Sequence, residues 1–320
     1  MESGNPTIRE LRSPLAPHDL RPLEPEVRVV QFREPLQDPE YRAVGELLSR
    51  HPQVKLRAYG DYSNQVSDLD FLRHFGGIQA LQIDLPHLED AGGFAAVLGG
   101  LQRLSWGSTD RRFSLEILSQ APGLRELHLE KHSKHIDIVG TLRGLRRLSL
   151  RSIALDDLEP FASLPELRQL EICLGRLGSV SAAAAMDKLQ YLELWMVRGL
   201  SDLTVLSELR SLEYLKLQSL NHVAELPSLR PMTRLRRVVI EDMKGLHDLR
   251  PIADAPSLEE LLVIDMPRLP TDCLAPFAGH PTLKTASAGL GSLRRNAEAR
   301  SALPGVGREV TLAPFSFSPG

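Results

Sequence analysis

Three histidines fall within eight residues, His128, His132 and His135 in the segment HLEKHSKH, and no other histidine cluster occurs in the chain. Imidazoles bind a transition metal when they converge on one point. Here His128 reads as a strand residue, while His132 and His135 lie in the turn beyond it. Solvated or core-edge histidines are the preferred reading, and a small metal site is the alternative. Cys173 offers a second chemistry, that of a thiolate nucleophile, but no acid–base neighbour accompanies it in sequence. An ordinary free thiol is the simpler reading. Gly289-Leu290-Gly291-Ser292 comes nearest to a phosphate loop. It lacks the following Lys, and glycines closing a final turn explain it better. The spacings GxSxG, HExxH, the P-loop and GxGxxG after a strand are all missing, so no catalytic residue, metal or cofactor is assigned.

The bulk composition narrows the classes further. The 320 residues are 42% hydrophobic and 25% charged, as in a soluble folded protein. A net charge of −3 exerts no global pull toward nucleic acid or an anionic membrane. The two cysteines, Cys173 and Cys273, form no CxxC pair, which excludes a disulfide framework or a zinc ribbon and points to a reducing compartment. Met1 to Glu26 contains five prolines and lacks the apolar stretch of a secretory signal, and no later run reaches the length of a bilayer span. A cytoplasmic location without membrane association is expected.

The elements that must position these side chains announce themselves as a repeat. The pattern apolar-x-x-apolar-x-apolar begins at Ile78, Leu101, Leu124, Leu145, Leu167, Leu189, Leu212, Leu235, Leu258 and Leu283, with spacings of 23, 23, 21, 22, 22, 23, 23, 23 and 25. Units such as Leu189-x-x-Leu192-x-Leu194 put apolar residues at positions 1, 4 and 6. Positions 3, 5 and 7 are mostly polar, the period of a strand with one buried face. A second apolar set follows each strand, as in Val197, Leu200, Leu203 and Leu206. Asp157, Asp202 and Asp248 each precede such a segment, where a carboxylate can accept from the free N–H groups of a short first turn.

These residues resemble the leucine-rich repeat family, in particular the short bacterial repeats of the internalin type. The resemblance covers residues 78–288. It implies an α/β solenoid, a curved arc with a parallel β-sheet on the concave face and short helical or 3₁₀ segments on the convex face. One departure stands out. Many such repeats place Asn three residues after position 6, where this chain has Pro86, Thr109, His132, Ile153, Gly175, Val197, Leu220, Met243, Met266 and Gly291. The turn is then expected to be held by apolar packing.

Around the array the chain divides into an extended Pro-rich arm (1–25), an N-terminal β-α-β cap (26–77) and a C-terminal cap and tail (289–320). In the first cap Asp38 is the expected N-cap, with Pro39 at the first helical position. Leu293 to Leu303 reads as a short helix capped by Ser292.

Positions 3, 5 and 7 define the expected binding face. Its charged residues are five basic (Arg103, Arg147, Arg151, Lys216, Arg237) and seven acidic (Asp84, Glu126, Glu130, Glu171, Glu193, Glu241, Glu260), a mixture that excludes the basic stripe needed for nucleic acid. Tyr191, Trp195 and Tyr214 gather aromatic character on two adjacent repeats of a chain with only 5% aromatic residues. Tyr and Trp dominate interface hot spots because they bury large area at small rotamer cost. Glu171, Glu193 and Lys216 form the neighbouring column, and a partner's Arg or Lys is expected to complete the Glu pair. These six residues are the candidate partner-binding site; rings merely covering the sheet are the plainer alternative. Val239, Leu262 and Ile264 suggest a second patch, over which Phe315 and Phe317 could fold. The expected function is a non-catalytic protein-binding module, monomeric alone, acting as adaptor or as an immunity-type inhibitor. The alternatives are a small-ligand or metal-dependent accessory enzyme near Cys173 and His128, or a self-associating scaffold.

Overall fold

Side chains that alternate between buried and open sides demand extended backbone, and each repeat supplies one such stretch. The computed structural model describes residues 7–61, 66–308 and 315–318. It divides into two units, Met1–Arg146 and Arg147–Gly320. In the first, β1 (Thr7–Leu11), β2 (Val27–Phe32), β3 (Lys55–Tyr59), β4 (Ala80–Asp84), β5 (Arg103–Trp106) and β6 (Glu126–Glu130) pair in parallel and in chain order, with α1 (Asp38–Ser49) between β2 and β3. The stretch read as an extended arm thus contains a strand. Arg9 hooks back from it to the carbonyls of Asp19 and Arg21 and to the Glu24 carboxylate.

The second unit repeats the plan. Its main ladder runs β7 (Arg147–Arg151), β9 (Gln169–Cys173), β11 (Tyr191–Trp195), β12 (Tyr214–Gln218), β13 (Arg237–Glu241), β14 (Glu260–Ile264) and β15 (Thr285–Ala288). The two-residue strands β8 (Ala154–Leu155) and β10 (Arg176–Leu177) pair separately beyond the turn. Outer segments are single helical turns: α2 (Glu159–Ala162), α3 (Arg250–Ala253) and 3₁₀ turns such as Ser181–Ala185 and Thr204–Glu208. Asp157, Asp202 and Asp248 each accept the backbone N–H two residues on, at 2.9, 2.8 and 2.8 Å. Finally α4 (Leu293–Arg300) begins at Ser292, whose Oγ accepts from the Arg295 N–H. This is the α/β architecture of a leucine-rich repeat solenoid. Among the described residues no helix is long and apolar enough to cross a membrane.

The core is the predicted one. Leu189, Leu192 and Leu194, and Leu212, Leu215 and Leu217, are buried from the strand side, and Leu200, Leu203, Leu206 and Val223 meet them from the outer side. Each such side chain contributes about 2 kcal/mol of hydrophobic stabilisation.

The turns differ from expectation. Position 8 holds a non-glycine residue in the left-handed region in seven successive repeats: Lys131, Ser152, Leu174, Met196, Ser219, Asp242 and Asp265, with φ between 46° and 63°. From Ser152 to Asp242 that conformation aims the N–H at the position 7 carbonyl of the following repeat. Leu174 donates to Trp195 at 2.8 Å, Met196 to Gln218 at 2.9 Å and Ser219 to Glu241 at 2.9 Å. A backbone ladder therefore supports these turns, and a strained φ costing about 1–3 kcal/mol per residue persists there because the N–H is satisfied. At position 9, sulfur accepts in place of the missing amide. Met243 Sδ takes the Leu220 N–H at 3.3 Å, and Met266 Sδ takes the Met243 N–H at 3.0 Å. Gly175 is required where two repeats approach closely, since a Cβ there would lie 2.2 Å from the Ile153 carbonyl oxygen.

The α1 cap also shifts by one residue. Gln37, not Asp38, is extended at the N-cap, and Glu40 accepts its N–H at 2.8 Å. The Asp38 carboxylate is turned instead to Arg73 and His74.

Candidate functional site

Parallel pairing lines up residues 22 or 23 apart in columns, and the candidate residues occupy three of them. Tyr191 lies opposite Tyr214, which lies opposite Arg237. Glu171, Glu193 and Lys216 form the next column, and Cys173, Trp195 and Gln218 the third. All six candidate residues are half-buried, while their strand neighbours Leu192, Leu194, Leu215 and Leu217 are buried on the opposite side. The Tyr191 and Tyr214 rings meet edge to face, centroids 4.9 Å apart and planes at 83°, the arrangement aromatic quadrupoles favour. Arg151 lies over the Trp195 ring at 5.3 Å, and Met196 beside it is exposed.

The electrostatics overturn one expectation. Glu171 accepts from Arg147 at 2.5 Å; Glu193 accepts from Lys216 at 2.9 Å and from the Tyr191 hydroxyl at 2.5 Å. The two carboxylates therefore already have cationic partners within the sheet, and an incoming Arg or Lys has no uncompensated pair to complete. Burial first, and then donation to Glu193, holds the Tyr191 phenol well above its ordinary range. Burial opposes the Lys216 charge, but hydrogen bonding and attraction to Glu193 prevail and raise its pKa. Lys216 is thus held in its charged form against Glu193.

The chain's own C-terminal segment lies on the tyrosines. Phe315 is 5.3 Å from Tyr214, Phe317 is 6.3 Å from Tyr191, and the two phenylalanines are 5.0 Å from each other. Arg236 and Arg237 flank the Phe315 ring at 5.1 and 5.0 Å. Beneath Ser318 sits Glu213, a carboxylate with no exposed surface. It accepts from Gln190 at 3.1 Å, Arg234 at 3.0 Å, the Ser318 N–H at 2.9 Å and the Ser318 hydroxyl at 3.0 Å. Phe315 and Phe317 were the alternative cover for the Val239 patch; their rings instead meet Tyr214 and Tyr191 on the two preceding strands, with Phe315 also beside Arg237 on β13. Val239 and Leu262 are themselves buried, so they do not form an open apolar patch. Glu213, Gln190 and Arg236 at position 2, and Arg234 just before position 1, were missed because neither place in a repeat carries a periodic signal. The one available sign was a Phe-Ser-Phe-Ser run in an aromatic-poor chain.

The histidines do not converge. His132 is buried, stacks 4.3 Å from Trp106 and donates from Nε2 to the Gly107 carbonyl at 2.9 Å. His135 instead bonds Ser114 at 2.8 Å and faces Glu116 at 3.2 Å, and His128 stands on β6 opposite Ser105. Among the described residues no group of three His, Cys, Asp or Glu side chains could hold a metal ion. Cys173, expected on the exposed side, shares the Trp195 column yet is buried. Burial, then the charges of Glu193 and Glu171, push its thiol up to about 12. It is a protonated thiol at neutral pH, the opposite of an activated nucleophile.

No protein-family model matches this chain, and no curated protein matches it. Among solved structures it is similar to an internalin of Listeria monocytogenes, with a TM-score of 0.55 and 16% identity, covering 80% of this chain and 81% of the other. A leucine-rich repeat protein of Leptospira interrogans aligns with a TM-score of 0.49 at 13% identity over 91% and 93% of the two chains. Internalin C2 of Listeria monocytogenes aligns with a TM-score of 0.43 at 20% identity over 57% and 84%. The first of these establishes the shared leucine-rich repeat fold.

Proposed function

We propose that the chain is a non-catalytic protein-binding module whose partner docks on the strand face of the second unit, around Tyr191, Trp195, Tyr214, Glu171, Glu193 and Lys216. The observation that carries this reading is the aromatic group itself. Three large rings lie on one side of two adjacent strands, Tyr191 and Tyr214 in register and Trp195 further along, on the open side of a sheet whose other side already holds the core. Nothing in the packing of the repeats requires aromatic residues there, whereas an interface gains from them. The closed Glu171–Arg147 and Glu193–Lys216 pairs frame the rings with fixed charge and favour register over raw affinity. Two buried free thiols support a reducing compartment such as the cytoplasm. The module acts as an adaptor, or as an inhibitor that occludes its partner's own site.

Trp195→Ala tests the reading. With a partner purified on the wild-type chain, the substitution should weaken binding by about 2 kcal/mol, roughly 30-fold, as hot-spot residues do. The denaturation midpoint should hardly move, because Trp195 is only half-buried. An unchanged affinity in the folded variant would remove this face from the interface. Loss of the partner's own activity on binding would select inhibitor over adaptor.

A further inference from the structure

The segment Phe315–Ser318 sits on the second unit as a peptide ligand sits on a receptor. Its residues are half-buried or exposed, unlike the core, so it lies on the face and not within it. Alternate side chains Phe315 and Phe317 reach Tyr214 and Tyr191. Its backbone is read as well. The Ser316 carbonyl accepts from Arg236 at 3.1 Å, the Ser318 carbonyl accepts from Gln190 at 3.1 Å, and the Ser318 N–H donates to Glu213 at 2.9 Å. The receiving side is assembled without the segment. Glu213 is held by Gln190 and Arg234, Tyr191 by Glu193, and Arg237 lies over the Tyr214 ring at 5.2 Å. A fully buried carboxylate aimed at a peptide N–H and a hydroxyl, beside two tyrosine faces, is a recognition site for one chemistry.

We propose that this groove binds an extended partner segment of the form aromatic-X-aromatic-Ser, and that residues 315–318 occupy it in cis as a stand-in that the partner must displace. The proposal rests on the protein-binding reading and names the partner's chemistry. Two aromatic rings two residues apart fill the tyrosine faces and the flank of Arg236 and Arg237. The following Ser gives its N–H and Oγ–H to Glu213 Oε2, an oxygen that otherwise faces only the Arg236 guanidinium at 3.9 Å. A segment tethered in cis acts at an effective concentration on the order of millimolar, so only a tighter or multivalent partner opens the groove.

The test uses the full chain and the fluorescent peptide acetyl-Phe-Ser-Phe-Ser-amide, followed by polarisation. Phe315→Ala/Phe317→Ala frees the groove and should bind the peptide saturably, at least ~10-fold more tightly than the wild-type chain, in line with removal of a tethered competitor. Adding Glu213→Gln should abolish that binding. Ser318→Glu provides a second opening, since it sets a carboxylate against Glu213 while leaving both rings in place; it too should admit the peptide. Equal peptide affinity for wild type and both opened variants would overturn the proposal, as would no saturable binding to either. So would a wild-type dimer, seen by light scattering, that Phe315→Ala/Phe317→Ala dissolves, because the segment would then serve a second copy. If the peptide fails while a partner still binds in a Trp195-dependent way, only this proposal falls. If the partner binds independently of Trp195, the protein-binding reading of the face falls instead.

Discussion

On β1 to β4 the open face is a polar network. Gln31 donates to Glu10 at 2.6 Å, Arg57 donates to Asp84 at 2.7 Å and to Gln31 at 3.2 Å, and the Tyr59 hydroxyl donates to Glu10 at 3.0 Å. On β11 to β13 the corresponding face carries Tyr191, Tyr214 and Arg237, at position 3 instead of 5 and 7, and a distant segment lies over them. Both faces stand on parallel ladders. The first satisfies its polar side chains among its own strands. The second satisfies its charges in one column and leaves rings in another, and rings cannot be satisfied by hydrogen bonds. A strand face in this fold becomes adhesive when its polar groups close locally and its aromatic groups do not.

The two tryptophans give the largest contrast. Trp106 occupies position 6 of its strand and has no exposed surface, whereas Trp195 occupies position 7. Trp106→Ala should destabilise the chain by about 3–5 kcal/mol, the range for a large core aromatic, and Trp195→Ala by less than about 1 kcal/mol. Urea denaturation decides it, and similar losses would mean that Trp195 is core.

A smaller contrast sets Glu213 against Arg57. Glu213→Ala leaves the Gln190 amide, Arg234 and the Ser318 N–H without their acceptor, and should cost about 2–3 kcal/mol, limited by the partly exposed Arg234 returning to water. Arg57→Ala acts in a network that solvent reaches, with 30% of its side chain exposed, and should cost about 1 kcal/mol. The reverse order would show that the docked segment contributes nothing to the folded state.

The smallest expected effect is on acid stability in the first unit. Burial holds the His132 imidazole below its ordinary value of 6.5, against the Gly107 hydrogen bond and the Glu130 charge. The unfolded chain therefore takes the proton first as pH falls. The His132 contribution is complete above pH 6.5 and declines below it, at most by about 1.4 kcal/mol per pH unit. Stability at pH 7.5 and 5.5 should differ less in His132→Gln than in the wild type; equal differences would show that His132 titrates as it does in the unfolded chain.

The solenoid and its register follow from local information. Leucines at positions 1, 4 and 6 with a period near 23 force one strand per repeat. Once Leu192 and Leu194 point inward, Tyr191, Glu193 and Trp195 must point the other way, because side chains alternate along extended backbone. The pairing of Glu171 with Arg147 was not legible, since it depends on rotamers reaching diagonally between neighbouring strands. The left-handed residues at position 8 were hidden too, because no glycine or asparagine marks them and a backbone ladder holds them in place. Least legible was the docking of Ser318 beside Gln190, 128 residues away. Periodicity reports what each repeat buries against its neighbours, a short-range property present in any few repeats. Which remote segment rests on the finished face depends on complementarity between surfaces that exist only after folding, and tertiary structure alone decides it.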